Sequence, residues 1–564
     1  MKQLVSIILV TAFLSALSMR GESQIGLVNN RPVLTVNDSP MLILAGELGN
    51  STVTSQEDIV TNIEKISGHN LNTILVPAYW ELIEPEEGTF DFTLIDEVID
   101  RAKENNLKVV FLWFGAWKNS MSCYAPEWVK KDTTRFPRAR TSNGKPLEIL
   151  SVFSENVLDA DLNAFEAFLN HIKEYDGEDN VIMIQVENEI GMLEDARDHS
   201  GLADEEYDKG VPSELMVYVK DHRDGLHPAL ADKWKINGNG MSGSWSDVFG
   251  RDLYTDEYFM AWNYAKYIEK LASRGKTILN LPFYLNAALN SRGRKPGEYP
   301  SAGPLAHLKD IWHAAAPSID FLSPDIYDTG FEDWVKEYAF EDNLLFVPEV
   351  KRDKSNPAQA YYIVGHHDAI GFSPFSIENG DDDYFSDLSK AYKTLSELTP
   401  LLVKYGDKGW TDGVLLSADR PDKVIEDDLM RITLSHYFTL PWDPRASDKN
   451  NWNDSGAIIM KIAPEEFILA GSGVVVKFED ILEREEKLNL GEDGFVSSGN
   501  QEIVTASRKT PRIGLAGVEE IKVKPDGSFT RIRSFNGDET HQGRHVRIGV
   551  DDHKILHIKT YRYE

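Results

Sequence analysis

The feature that most constrains the fold of this chain is a rhythm. Between residues 41 and 402, short apolar runs of strand type alternate with segments of helical spacing. Residues 41–46, 72–77, 108–114 and 181–186 read as the first four strands. Residues 277–284, 319–327, 344–347 and 370–373 read as the next four. Helical spacing fills the intervals: residues 55–67 carry Ile59, Ile63 and Ile66 on one side, and residues 93–105 carry Leu94, Val98 and Ala102. The strand runs are continuously apolar, as expected where helices cover both faces of a parallel sheet. Eight such units predict an α/β fold of the (β/α)8 (TIM barrel) type, with its chemistry at the C-terminal ends of the strands. A doubly wound open sheet is the competing reading. It would need a separate reason for eight units and for polar residues at so many strand ends.

The texture changes after about residue 403. Strand-like pieces follow at 457–461, 466–470, 473–478, 519–524 and 554–558, with turn signals in GSG at 471–473 and PDGS at 525–528. The predicted organisation is a signal peptide at 1–22, a (β/α)8 catalytic barrel at 23–402 and a C-terminal all-β accessory domain at 403–564. The signal reading rests on Lys2, the apolar segment 4–17 and small residues around Ala16 and Ser18. It places the product in the periplasm or outside the cell. No later run approaches the ~20 apolar residues of a membrane span. With 59 Lys and Arg against 91 Asp and Glu, the formal charge is −32, which argues against nucleic acid and anionic membranes as partners. The charge leaves neutral sugars open, and a homo-oligomer is compatible with it. Cys123 is the only cysteine, so an intrachain disulfide is impossible and a Cys-based zinc site is not expected.

Two strand ends carry a carboxylate. VIMIQVENEIG, residues 181–191, passes from an apolar run into Asn188–Glu189, and LLFVPEV, residues 344–350, places Glu349 directly after Pro348. In a barrel, the ends of strands four and seven can face each other across the mouth. Glycosidic hydrolysis needs such a pair, one carboxyl protonated to assist the leaving oxygen and one ionised to attack or to activate water. Proximity of like charges raises one pKa and divides the roles. Other strand ends suit sugars: PAYWELIEPEEGTFDF at 77–92, WFGAWKN at 113–119 with Trp117 and Asn119, and SPDIY at 323–327 with Asp325 and Tyr327. Aromatic faces stack on pyranose rings while polar neighbours fix hydroxyls. The Tyr327 phenol is placed to hold Glu349 ionised. No strand end supplies a persuasive Schiff-base lysine, and no carboxylate–His cluster has ligand spacing, so neither cofactor nor metal is expected. His366 and His367 are adjacent on a helix and read as structural.

These residues resemble a known family. IQVENEIG is similar to the QVENE-Y-G signature of the glycoside hydrolase family 35 β-galactosidases, with Ile190 in place of the usual Tyr. YWELIEPEEGTFDFTLID resembles the same family's strand-two region, shared in looser form with family 42. The likeness covers roughly residues 35–400, and the C-terminal region resembles the accessory domain of a bacterial subgroup. It implies a retaining exo-acting β-galactosidase with Glu189 as acid/base and Glu349 as nucleophile. It further implies that Asn188 bonds the 2-hydroxyl, that Glu187 bonds sugar hydroxyls or braces the site, that Tyr79 contacts the sugar and that Tyr327 orients the nucleophile. The family's usual Glu after strand three is missing from LWFGAWKN. β-D-Galactose is the expected sugar, on a hemicellulose such as xyloglucan. The alternatives are a related retaining β-glycosidase, such as one acting on α-L-arabinopyranose, and a non-catalytic carbohydrate-binding protein.

Overall fold

The computed structural model describes residues 23–177, 180–406, 408–482 and 511–563; residues 1–22, expected to be a signal peptide, lie outside them. Eight parallel strands close into a barrel: β1 Ile43–Glu47, β2 Thr73–Tyr79, β3 Lys108–Phe114, β4 Val181–Gln185, β5 Phe283–Ala288, β6 Phe321–Ile326, β7 Phe346–Val350 and β8 Gly371–Pro374. They follow chain order around the ring, and β8 pairs with β1 through Gly371–Ile43 and Phe372–Leu44. The covering helices are α1 Gln56–Ile66, α2 Thr93–Glu104, α3 Glu155–Tyr175, α4 Leu253–Ile278, α5 Lys309–Ala315, α6 Phe331–Tyr338, α7 Asn356–His366 and α8 Asp382–Tyr405. Local chemistry starts them where the sequence allows. The Ser55 hydroxyl accepts from the Asp58 N–H to cap α1, and Ile59, Ile63 and Ile66 form its buried side.

Two strands differ from the sequence expectation, and both differences shape the site. Residues 277 and 278 belong to α4, because the Leu279 N–H closes the helix on Gly275 O at 2.9 Å and the Thr277 hydroxyl bonds Arg274 O at 2.7 Å. Strand β5 therefore begins at Phe283 and reaches Ala288, which carries Asn286 to the mouth. Strand β7 likewise extends to Val350, so Glu349 lies within it. Pro348 has no N–H to give the sheet, and the pairing with β8 shifts register between Val347 and Val350. Asp325 on β6 stands in register with Glu349, so both side chains leave the sheet on the same side.

The C-terminal region is a β-sandwich. Its six-stranded sheet runs in the order Trp410–Leu416, Ser455–Ala463, Glu466–Ser472, Lys554–Tyr563, Arg512–Val523, Phe529–Ser534. A four-stranded sheet, Asp422–Glu426, Met430–His436, Val474–Asp480, Val546–Ile548, faces it. The GSG at 471–473 is not a hairpin turn. With Gly473 at φ 69, the chain turns a corner there, leaving the first sheet and entering the second against Met430–His436. Alternation divides the six-stranded sheet into two cores. Ala457, Ile459, Phe467 and Leu469 pack toward the second sheet, whereas Ile458, Met460, Ile468 and Ala470 join the barrel's core.

Glycine sets the closeness of that junction. A Cβ on Gly365 of α7 would lie 2.7 Å from the Gly413 Cα, and one on Gly413 would lie 2.4 Å from Tyr362 O. His366 adds a 2.6 Å bond from its Nδ1 to Asp412 Oδ1. The sandwich also borders a groove of about 660 Å³ beside Tyr327, through Leu415, Ser417, Arg420 and Asp454. The N-terminal strands Gln24–Val28, Arg31–Val36 and Ser39–Met41 lie against α7 and α8: the buried Arg31 guanidinium bonds Val364 O at 2.6 Å and pairs with Asp368 at 2.5 Å, and Asn29 Nδ2 bonds Val403 O at 2.7 Å. Among the described residues, no helix is long and apolar enough to cross a membrane. Gly365→Val is expected to force helix and sheet apart and to destabilise the protein by about 1–3 kcal/mol or more, read as a lower Tm. An unchanged Tm would show that the junction carries no strain.

Candidate active site

The turn after β4 is built under tension. Glu187 and Glu189, on either side of Asn188, have φ of 60 and 45. Non-glycine residues enter this region at a cost of about 1–3 kcal/mol each. The segment after β3 holds it in place. Asn119 N–H donates to Asn188 O at 3.2 Å, Ser120 N–H to Glu189 O at 3.1 Å, and Asn188 N–H to Trp117 O at 3.4 Å. From the other side, Asn286 Oδ1 accepts the Glu189 N–H at 3.0 Å. The strained turn thus aims the Glu189 side chain into the barrel mouth.

Glu187 is the latch beneath this arrangement. Its two oxygens accept the N–H groups of Ala116 at 3.0 Å and Trp117 at 2.7 Å. Under it lies Asp161 of α3, which accepts from Trp113 Nε1 at 2.9 Å and the Tyr267 hydroxyl at 2.8 Å. Burial, then the neighbouring Asp161 charge, hold Glu187 well above the usual carboxylate range. Gly115 covers the pair. A Cβ there would lie 2.2 Å from Trp113 Nε1, 2.6 Å from Glu187 Oε1 and 2.7 Å from Asp161 Oδ1.

Above the latch, Glu189, Asp325 and Glu349 converge, each offering a carboxylate oxygen within 4.8 Å of the others. They are 5 %, 2 % and 4 % exposed. Asn119 donates its amide to Glu189 Oε2, and the Tyr327 hydroxyl donates to Glu349 Oε1. Asn286 Nδ2 donates to Asp325 Oδ2 at 2.6 Å. Burial first, then the Glu189 charge, push Glu349 up to about 7, against the pull of Lys118 and of the Tyr327 bond. Asp325 is raised well above its ordinary value by burial, then by Glu349 and Glu189. The trio is also the group of side chains among the described residues that could ligate a cation. Several polar atoms around the mouth have no protein partner: both side-chain atoms of Asn188, Glu47 Oε1, Asp325 Oδ1 and Glu349 Oε2.

The structure therefore brings together Glu189, Glu349, Asn188, Asn119, Asp325 and Tyr327. Of the two roles expected for Glu187, the structure shows the brace: it is fully buried with its oxygens committed to the backbone. Two other expected sugar contacts lie elsewhere. Trp117 is buried edge-on against Tyr264 and Tyr267, with no face left for a sugar. Tyr79 is buried between Phe114 and Tyr124 and lines a separate cavity of about 370 Å³ with Leu82, Ile83 and Leu94. The sequence reading missed Glu47, Lys118 and Asn286. Glu47 ends β1 at 1 % exposure, and Lys118 lies 3 % exposed beside Asn188 in a parallel bridge. The signal for Glu47 was available, since ILAGE closes an apolar run on a carboxylate just as VIMIQVENE does.

Comparisons with known proteins bear on this geometry. Residues 52–235 match the glycoside hydrolase family 42 model, described as beta-galactosidase, and residues 388–547 match a domain of unknown function, DUF5597. The family 35 resemblance drawn from the QVENE motif is corrected by that match: the family found over this segment is family 42. No curated protein sequence matches the chain. Among solved structures, the chain is similar to the polyextremophilic β-galactosidase of the Antarctic haloarchaeon Halorubrum lacusprofundi, at TM-score 0.44 and 15% identity over 63% of this chain and 58% of that one. It is similar to the β-galactosidase of the psychrophilic Marinomonas ef1, at 0.44 and 11% over 64% and 60%. A β-mannanase from the blue mussel Mytilus edulis follows at 0.39 and 13% over 68% and 97%. The chain thus spans under two thirds of the length of these two β-galactosidases.

Gly115→Ala tests the latch. Its methyl group must displace the Glu187–Asp161 pair, so the variant is expected to lose about 1–3 kcal/mol of stability and to misplace Glu189. A variant with unchanged melting and unchanged turnover would refute the latch.

Proposed function

We propose that this protein is a retaining exo-acting β-galactosidase that releases terminal β-D-galactosyl residues from oligo- or polysaccharides, with galactosylated xyloglucan as a suitable substrate and the cell exterior or periplasm as its setting. One observation carries the reading: the Glu189 and Glu349 carboxylates approach within 4.8 Å at the ends of β4 and β7. Oxygens this close favour the ~5–5.5 Å carboxyl separation of retaining enzymes over the ~6.5–9.5 Å at which an inverting pair holds a water. The burial of both groups suits a pocket for one terminal sugar.

In this mechanism Tyr327 occupies Glu349 Oε1 and leaves the unpartnered Oε2 to attack the anomeric carbon. Glu189 protonates the departing glycosidic oxygen, and a glycosyl-enzyme forms. Glu189 then takes a proton from water, which hydrolyses the intermediate with net retention. Asn188, whose amide has no protein partner, bonds the 2-hydroxyl as charge develops on the ring. No step requires a metal.

The test is hydrolysis of p-nitrophenyl β-D-galactopyranoside. Glu349→Ala and Glu189→Ala are each expected to lose at least about 10²–10⁴-fold in rate. Azide should rescue the first as the α-galactosyl azide and the second as the β-azide. Normal turnover by either variant would sink the carboxylate assignment, and a rate abolished by EDTA would overturn the metal-free mechanism. The pH profile supplies an independent check. The nucleophile must be ionised, so kcat/KM should fall as pH drops through about 7. With 2,4-dinitrophenyl galactoside, whose leaving group needs no proton, Glu189→Gln should move that limb to lower pH and Tyr327→Phe to higher pH. A limb that stays in place in both variants would show that Glu349 does not titrate there.

A further inference from the structure

Outside the trio of Glu189, Asp325 and Glu349, two more buried charged side chains in the mouth have no part in the mechanism above. Glu47 closes β1 and Lys118 follows β3, so they approach the pocket from strands other than those carrying Glu189, Asp325 and Glu349. Glu47 is 1 % exposed and its Oε1 has no hydrogen-bond partner. Lys118 is 3 % exposed; its backbone is bridged to Asn188, and its ammonium lies 5.1 Å from the centroid of the Phe114 ring. Among the described residues no carboxylate pairs with it at ion-pair distance. Desolvating a carboxylate and an ammonium without partners costs several kcal/mol or more. Folding alone does not call for either: the brace of the β4 turn, from Glu187 to the Ala116 and Trp117 N–H groups, is complete without them. Such a cost is retained where a ligand completes the hydrogen bonds.

The chemistry of the pair narrows the ligand. A carboxyl group accepts hydrogen bonds on two oxygens, and an ammonium donates three. Adjacent hydroxyls on a pyranose each donate one bond and accept another, so a vicinal diol satisfies both groups at once. With the anomeric carbon between Glu189 and Glu349 and the 2-hydroxyl at Asn188, the 3- and 4-hydroxyls are the diol left to recognise. We propose that Glu47 and Lys118 are the specificity pair for the glycone, reading the 3- and 4-hydroxyls of a galactose-configured pyranose. The assignment rests on the proposed function for the site's contents, but it concerns binding and not turnover. Burial, then the Glu349 charge, raise Glu47 well above the carboxylate range, while Lys118 opposes that rise. Either protonation state of Glu47 can bond a hydroxyl.

The experiment is calorimetric titration of the full chain with D-galactose, 3-deoxy-D-galactose and 4-deoxy-D-galactose, for wild type, Glu47→Leu and Lys118→Met. A site built to bond a hydroxyl rejects the analogue lacking it strongly. Wild type should bind galactose at least about tenfold more tightly than the deoxy sugars, and each variant should lose most of that preference. The interaction between residue and hydroxyl then appears as non-additivity. Variants that bind all three sugars more weakly by the same factor would overturn the assignment, since a purely structural role predicts that pattern. A wild type that does not distinguish the deoxy sugars would overturn it also. Should Glu47→Leu fail to fold, Lys118→Met and Glu47→Gln give the same readout. Discrimination by a wild type that does not hydrolyse galactosides would leave the pair standing and sink the proposed activity alone. Hydrolysis of galactosides without discrimination would do the reverse.

Discussion

The site depends on one buried acid that does no chemistry. Glu187 reaches back from the β4 turn and takes the N–H groups of Ala116 and Trp117 on its two oxygens. Without an acceptor there, the segment after β3 would carry two orphaned buried donors, each costing about 1–3 kcal/mol. With it, that segment is fixed against the turn, and its next N–H groups fasten Asn188 and Glu189. The left-handed backbone at Glu189 persists because these bonds over-determine it. Gly115 belongs to the same device, because only a residue without a side chain can lie across the two acids.

The mouth concentrates charge that the fold would otherwise avoid. Glu47, Glu189, Asp325 and Glu349 share one buried space, and Glu47, Asp325 and Glu349 are lifted from the ordinary range, in each case by burial first. The sign follows from linkage. A carboxyl whose folded-state pKa rises from 4.5 to about 7 binds its proton more tightly when folded. The stability this represents is present below pH ~4.5 and is lost as pH rises through about 7, amounting to about 3 kcal/mol for Glu349 at 1.36 kcal/mol per pH unit. The pocket is therefore least comfortable at the pH where Glu349 is ionised.

How much of this was legible in the sequence depends on the physical scale of the signal. The barrel was legible because eight apolar runs separated by helical spacing leave few alternatives, and the strand positions of Glu189 and Glu349 followed from it. Strand β5 was misplaced because Thr277 and Ile278 suit a strand as well as the last turn of α4, and only the bond from Leu279 N–H to Gly275 O decides between them. The aromatic residues misled for a related reason. Trp117 and Tyr79 sit at strand ends as sugar platforms do, but whether a ring faces the mouth or the helix layer is set by packing against Tyr264, Tyr267 and Tyr124, far away in sequence. Glu47 was overlooked although it has the same local signature as Glu189. The run before it is short and the glycines around it read as a loop, so nothing local separates a buried carboxylate from a solvated one. Five of the ten sandwich strands were not read from the sequence; two of them, Asp422–Glu426 and Phe529–Ser534, are alternating or exposed and carry little apolar signal.

The sandwich and the barrel share an element, and this bears on what the C-terminal region can be. The match to the domain of unknown function begins at residue 388, inside α8. That helix is the barrel's own: Leu388, Leu395 and Leu402 are buried in its core, and the Tyr392 hydroxyl bonds Ala45 O of β1 at 2.7 Å. It also touches the sandwich, where Lys404 Nζ bonds Gly527 O at 2.9 Å. A unit cut out at residue 388 would strip β1 and β8 of their cover. A barrel ended at the same point would expose the apolar face of a sheet that already uses its other face for the four-stranded layer. Neither piece can bury its surface alone, so the C-terminal region completes the barrel before it can do anything else. Leu415, Ser417, Arg420 and Asp454 line one groove with Tyr327, so the sandwich also forms a wall beside the residue whose hydroxyl bonds Glu349.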